Sequence, residues 1–172
     1  MKIVDAVSKS CEIMAMAKVA SRLRSEREAT LWRLVVRANL VHGTDVIRRV
    51  HAAGFPELQA GWPRLLAHLD SEGTRLKAIA EKAGMSAQAT GQMIDDLEAA
   101  KIVARTRDPS DRRGVIVQFT TRGLRMLETA VQKMAEVEDE YAAALGRKRY
   151  ASLKALFGEL LERIDEQGGL NP

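Results

Sequence analysis

A mainly α-helical fold with one small β-hairpin is what this sequence predicts, and three observations predict it. Apolar residues recur at helical spacing through most of the 172 residues, and strand-like alternation is confined to 103–107 and 115–119. Between Gly73 and Gly123, two short helical patterns are separated by a tight turn and followed by that hairpin. The hairpin loop, Asp108-Pro109-Ser110-Asp111-Arg112-Arg113-Gly114, carries paired arginines. Two helices, a turn and a basic-tipped hairpin, in that order, are the sequence form of a winged helix-turn-helix. In that fold one helix enters the DNA major groove and the hairpin reaches a neighbouring minor groove.

The elements follow in order. Residues 2–24 are apolar at Ile3, Val7, Cys11 and Met14 and then at Ile13, Met16, Ala20 and Leu23, which predicts an N-terminal helical extension with a drifting face. Ser25-Glu26-Arg27-Glu28 has the Ser-x-x-Glu spacing of a capping box, so a second helix is expected from Ser25 to about Ala53, ended by Gly54, Phe55 and Pro56. A third begins either before Gly61 or with Pro63 in its first turn, and finishes near Leu69. After the hairpin, helices are expected over 121–145 and 148–167, with Gly146 at the break. The last carries Tyr150, Leu153, Phe157, Leu160, Leu161 and Ile164 on one side, a stripe that something must cover: the monomer itself or a second copy.

Composition narrows the function classes. The formal charge is +4 and the pI about 9.4, which suits a polyanionic partner. Residues 1–54 carry ten Lys/Arg against five Asp/Glu, residues 74–125 ten against six, and residues 126–172 six against nine, so positive charge avoids the C-terminal region. One cysteine, Cys11, excludes an internal disulfide framework and a multi-thiolate metal site. With no run of 18 apolar residues and no signal-peptide pattern, a cytoplasmic protein without a membrane partner is the expectation. His42, His51 and His68 lack metal-site spacing, and neither metal nor cofactor is expected.

Within the motif, Leu76, Ile79, Ala80 and Ala83 line one face of a short helix, Gly84 makes the turn, and Ser86 caps the next helix. Along that helix Thr90, Met93, Ile94 and Leu97 point inward at i, i+3, i+4 and i+7, leaving Ala87, Gln88, Gly91, Gln92 and Asp95 outward. Short outward residues allow close approach to a groove, and glutamine pairs bidentately with adenine, so Ser86, Ala87, Gln88, Gly91 and Gln92 are the candidate DNA-binding residues, with Gln88 and Gln92 as base readers. On the wing, Arg105 and Arg107 alternate outward and Arg112 and Arg113 occupy the tip, where a narrow minor groove attracts guanidinium groups. Asp111 is read as the acid that orients them. The plainer alternatives are a solvated polar face and a solvated basic turn.

These residues resemble the MarR family of bacterial transcription regulators over about 31–128. The likeness rests on Glu72-Gly73-Thr74-Arg75-Leu76, on Ala83-Gly84-Met85-Ser86-Ala87-Gln88-Ala89, and on Asp108-Pro109-Ser110-Asp111-Arg112-Arg113 followed by Phe119-Thr120-Thr121-Arg122-Gly123. The resemblance implies a homodimer built from terminal helices (25–58 and 121–172, with 1–24 as an extension) and a DNA-binding lobe over 59–120. It further implies a recognition helix over 86–100, a wing whose Asp111-Arg112-Arg113 matches the family's Asp-x-Arg, and repression often relieved by a small molecule. The sequence departs from the family at Lys101, where a helix-ending glycine is usual, at Gln92, which is often basic in relatives, and in its N-terminal extension.

In the family a ligand lodges between dimerisation helices and DNA-binding lobe, so Trp32, His42, Arg49, His51 and Trp62 are candidate effector contacts, each with core packing or a surface role as the alternative. Cys11 is similarly read against the family's peroxide-sensing branch, which has an N-terminal cysteine. Tyr141 and Tyr150 are remote from it in sequence, which favours an inert thiol. No nucleophile elbow, phosphate-binding glycine loop or zinc-hydrolase motif suggests an enzyme. The expectation is a dimeric repressor on a pseudo-palindromic operator, released by a small-molecule effector. A winged-helix protein-interaction module without operator binding is the alternative, and an enzyme or carrier a distant third.

Overall fold

The structure, a computed structural model, describes residues 2–166, with residues 2–13, 15, 112 and 113 described by their backbone alone. It divides into two compact units, 1–43 and 44–172. The side chain of Cys11 and the chain after Glu166 lie outside the described part.

In the first unit, helix α1 (Lys2–Glu28) runs on through Ser25, so the expected capping box does not form there. Arg24, Glu26, Arg27 and Glu28 are good helix formers, and propensity carries the helix past a serine with no glycine or proline beside it. The break comes at Ala29 and Thr30 instead. The Thr30 hydroxyl donates to the Arg27 carbonyl at 2.7 Å and accepts from the Arg33 N–H at 3.3 Å, closing one helix and opening α2 (Leu31–Ala52). Met16, Val19 and Leu23 are exposed on α1, and Leu34, Leu40 and Val41 on α2.

The second unit holds the end of α2, then α3 (Trp62–Leu66), β1 (Thr74–Arg75), α4 (Leu76–Lys82), α5 (Ala87–Ala99), β2 (Val103–Asp108), β3 (Asp111–Phe119), α6 (Thr121–Leu145) and α7 (Arg147–Glu166). Pro63 sits in the first turn of α3, where its missing N–H leaves no hydrogen bond unmade. The three strands form one antiparallel sheet in the order β1-β3-β2, with Val103 opposite Phe119, Arg105 opposite Val117 and Thr74 also opposite Val117. Val50, Trp62, Leu65, Ile79, Ile94, Leu97, Ile102, Val117, Met126 and Val137 make its core. No described residue of α7 is buried, and Leu153, Leu156, Leu160 and Leu161 lie open along it.

Three helices, α2, α4 and α5, end the same way. In each, an N–H just past the helix reaches back to a carbonyl of the last turn, and the residue before it makes a shorter-range bond inside that one. The pairs are Phe55 N–H to Val50 and Gly54 to His51, Met85 to Ala80 and Gly84 to Glu81, and Ile102 to Leu97 and Lys101 to Glu98, all at 2.9–3.3 Å. This closure requires a left-handed residue. Gly84 (φ +59°) supplies it in the helix-turn-helix turn, whereas Lys101 (φ +60°) does so with a full side chain. Ile102 and Leu97, both buried, hold the lysine there. Replacing Lys101 by glycine should relieve about 1 kcal/mol of backbone strain and raise the melting temperature by roughly 2–4 °C, read by thermal unfolding.

Candidate nucleic-acid interface

The reading helix is built as its sequence dictates. Ser86 lies in an extended conformation, and its hydroxyl accepts from the Ala89 N–H at 3.2 Å, starting α5. Thr90, Ile94 and Leu97 are buried, while Ser86, Ala87, Gln88, Gln92 and Asp95 are exposed and Gly91 is half-buried. The Thr90 hydroxyl and the Trp62 indole N–H are buried without a hydrogen-bond partner among the described residues. The turn ahead of α5 is held by Arg64, whose guanidinium donates to the Ala83 carbonyl at 3.0 and 2.6 Å, supplying the free end of α4 with a cation. Arg64 carries no signal in the sequence, because its partner is a backbone oxygen 19 residues away.

The hairpin is anchored at its turn. There Asp108 is buried and its Oδ1 accepts from the Ser110 N–H (2.8 Å) and hydroxyl (2.7 Å), the Asx-type closure that Asp108-Pro109 predicts. Its Oδ2 accepts from Arg75 Nε at 2.6 Å, and Arg75 Nη2 donates to Ser110 Oγ at 2.9 Å. The Ser110 hydrogen bonds, with Arg75 adding to them, hold the Asp108 carboxyl below the usual carboxylate range. Arg75, on the two-residue strand β1, is thus a support of the wing that periodicity could not reveal. β2 and β3 lose regular pairing between Arg107 and Asp108: Arg107 faces Val115 and Asp108 faces Asp111, which leaves residues 112–114 as an extruded bulge. The tip itself is Pro109 and Ser110, closed by the pairing of Asp108 with Asp111, so Arg112 and Arg113 lie in the bulge just behind it on β3 and not at the tip the sequence suggested. Their side chains, and so the expected guidance by Asp111, lie outside the described part.

Arg107 is exposed and has no ion pair with a described residue. Arg105 is different: its guanidinium lies against α5, on Asp95, Glu98 and the Gly91 carbonyl. The reading of Arg105 as a wing cation presented to DNA is therefore revised, since β2 turns that residue inward.

The effector candidates fare unequally. Trp62 is a core residue at 2% exposure, which leaves no surface for a ligand. The His51 ring is bound through Nε2 to the Leu58 carbonyl at 2.7 Å. Arg49 is held by Glu140 at 2.7 Å and Asp45 at 2.9 Å, and those two hydrogen bonds raise its pKa further. A groove of about 440 Å³ lies there, lined by Arg48, Arg49, Ala52, Ala53, Lys133 and Glu136. In the first unit, Trp32 is 75% exposed and His42 half-buried. Among the described residues no group of three His, Cys, Asp or Glu could hold a metal ion, and no helix is long and apolar enough to cross a membrane.

A capped helix with small outward residues, set beside an anchored hairpin, defines a winged helix-turn-helix protein. Comparison with known proteins specifies it further. A model of the MarR family matches residues 57–114. The uncharacterized HTH-type transcriptional regulator YxaD of Bacillus subtilis (strain 168) is 30% identical over 103 residues, covering 59% of this chain and 69% of YxaD. Among solved structures, the transcriptional repressor CouR bound to a 23-mer DNA duplex is 27% identical, with a TM-score of 0.61, over 79% of this chain and 95% of CouR. Apo MarR from E. coli shares the fold at 22% identity and a TM-score of 0.64, over 77% of this chain and 97% of MarR. The chain belongs to the MarR family: it is a DNA-binding transcriptional regulator, not an enzyme.

Proposed function

We propose that this regulator is a cytoplasmic homodimeric repressor that occupies a pseudo-palindromic operator, placing two copies of α5 in successive major grooves about 10 bp apart. The observation that carries this is the open face of α5, with Ala87, Gln88 and Gln92 exposed beside a hairpin whose bulge includes Arg112 and Arg113. Gln88 and Gln92 read bases, while Arg107, Arg112 and Arg113 supply affinity at the outer minor grooves. Helices over 25–58 and 121–172 form the dimer, supported by the open leucines of α7, and α1 extends it. The repressor CouR, solved on a 23-mer DNA duplex, supports the reading by likeness.

An effector that lowers operator affinity is part of the proposal. The solved NadR complex with 4-hydroxyphenylacetate shows a ligand in a protein of this fold, and the groove beside Arg48, Arg49 and Lys133 offers cations to an acidic molecule here. Trp32 and His42 remain candidate contacts in the first unit.

Genomic DNA selection with the purified protein tests the reading. An enriched two-fold motif supports it, and no enrichment would leave the protein-interaction module. On the selected operator, Arg112→Ala should lower the slope of log affinity against log salt by about one unit, the share of one phosphate contact. Gln88→Ala should relax preference at one base position with the slope intact. Equal slopes for wild type and Arg112→Ala would reject the wing assignment.

A further inference from the structure

We infer that Arg105 is a positioning residue, which fixes the wing against the reading helix and does not hold DNA itself. The inference rests on the proposal that α5 and the hairpin together grip an operator.

Its geometry is that of a clamp. Arg105 Nη1 lies 2.6 Å from Glu98 Oε2, Nη2 lies 2.6 Å from Asp95 Oδ1, and Nη2 also donates to the Gly91 carbonyl at 3.1 Å. The main-chain N–H of the same residue donates to Glu98 Oε1 at 3.2 Å, so one carboxylate holds both the strand and its side chain. Gly91, Asp95 and Glu98 are spaced by four and three residues, one stripe along α5, and Gln88 continues that stripe one turn nearer the N-terminus. A planar, forked cation suits such a set of acceptors, and an ammonium on a flexible stem could not span all three. Arg105 pairs in register with buried Val117, and directly opposite residues share one face of the sheet, so the clamp extends the core-facing side of the hairpin onto α5.

The clamp has two consequences. It neutralises two of the acids on α5, Asp95 and Glu98, which would otherwise repel phosphate. It also sets the distance between Gln88 and the hairpin end, so that both reach their grooves only in one arrangement. Preorganisation of this kind raises operator affinity and leaves weak, sequence-independent binding largely alone, because the latter depends on net charge and tolerates many orientations.

Affinity against salt, on operator and on random duplex, decides it for wild type, Arg105→Lys and Glu98→Ala, with thermal melting to confirm folding. Arg105→Lys keeps the charge, and we expect operator affinity to fall about tenfold with the salt slope and random-duplex affinity unchanged. Glu98→Ala removes an acid near DNA and frees an arginine. Simple electrostatics makes it bind operator more tightly, whereas loss of the clamp makes it bind about tenfold more weakly. Tighter operator binding by Glu98→Ala, or near wild-type behaviour of Arg105→Lys, would overturn the assignment while leaving the repressor reading intact. A wild type that selects no operator would overturn the repressor reading instead.

Discussion

Gly123→Ala is expected to destabilise the DNA-binding unit by about 2–3 kcal/mol or more, and to lower the melting temperature by roughly 5–10 °C. The first turn of α6 rests directly on the junction between α5 and β2. Thr120 makes the join: its N–H donates to the Ile102 carbonyl at 3.0 Å, its hydroxyl donates to the Lys101 carbonyl at 2.6 Å, and the same oxygen accepts from the Gly123 N–H at 3.0 Å. These three bonds bring the chain so close that a Cβ on Gly123 would fall 2.0 Å from the Ile102 carbonyl oxygen. That obstacle is backbone, so no side-chain rotation can clear it. Ile102 cannot retreat either, since it is fully buried and bonded to the end of α5. Gly158, inside α7, is the control. A Cβ there meets nothing within 4 Å, so Gly158→Ala should stabilise by up to about 1 kcal/mol through helix propensity alone. Thermal or urea unfolding of the two variants beside wild type checks both, and a Gly123→Ala protein as stable as wild type would contradict the close contact.

What the sequence revealed and what it concealed divide along physical lines. Elements marked by local chemistry were legible: Gly84 as the turn, Ser86 as a cap, Pro63 at a helix start, and the Asx closure at Asp108. Each works through bonds to residues a few positions away, so its signal lies within one short window. Lys101 was legible as a conflict, a side chain where the backbone calls for glycine, and the structure resolves it by accepting the left-handed geometry.

Ser25 illustrates the opposite case. Its capping-box spacing is real, yet Thr30 competes for the same break and the helix formers between them favour continuity, so the boundary moves by several residues. The supports of the wing and of the turn ahead of α5 were hidden for another reason. Arg75 reaches Asp108 across 33 residues and Arg64 reaches Ala83 across 19, and neither leaves a periodic trace. Arg105 was visible as a basic strand residue, but alternation cannot tell a side chain turned to solvent from one turned onto the neighbouring helix. Two acids at Asp95 and Glu98, spaced to share a helix face, were the available clue.

Gly91→Ala separates folding from function, because its two expected effects have opposite signs. Gly91 lies within α5, and a Cβ there would meet nothing within 4 Å in the free protein. Glycine in a helix interior costs about 1 kcal/mol relative to alanine, so the variant should melt roughly 2–4 °C higher. Its carbonyl remains in place for Arg105, so the clamp survives. The position nevertheless keeps a residue with no side chain, one turn beyond Gln88 and next to Gln92. If this face seats against base edges, the added methyl occupies space that the closest approach of helix to groove requires. A misfit of that kind typically costs about 1–3 kcal/mol, which corresponds to a loss of about tenfold or more in operator affinity, while binding to random duplex, made at a looser distance, is little changed. Melting curves and operator titrations on one preparation give both numbers. A variant that is more stable and binds operator as tightly as wild type would place Gly91 outside the groove and move the reading face toward Ala87 and Gln88 at the start of the helix.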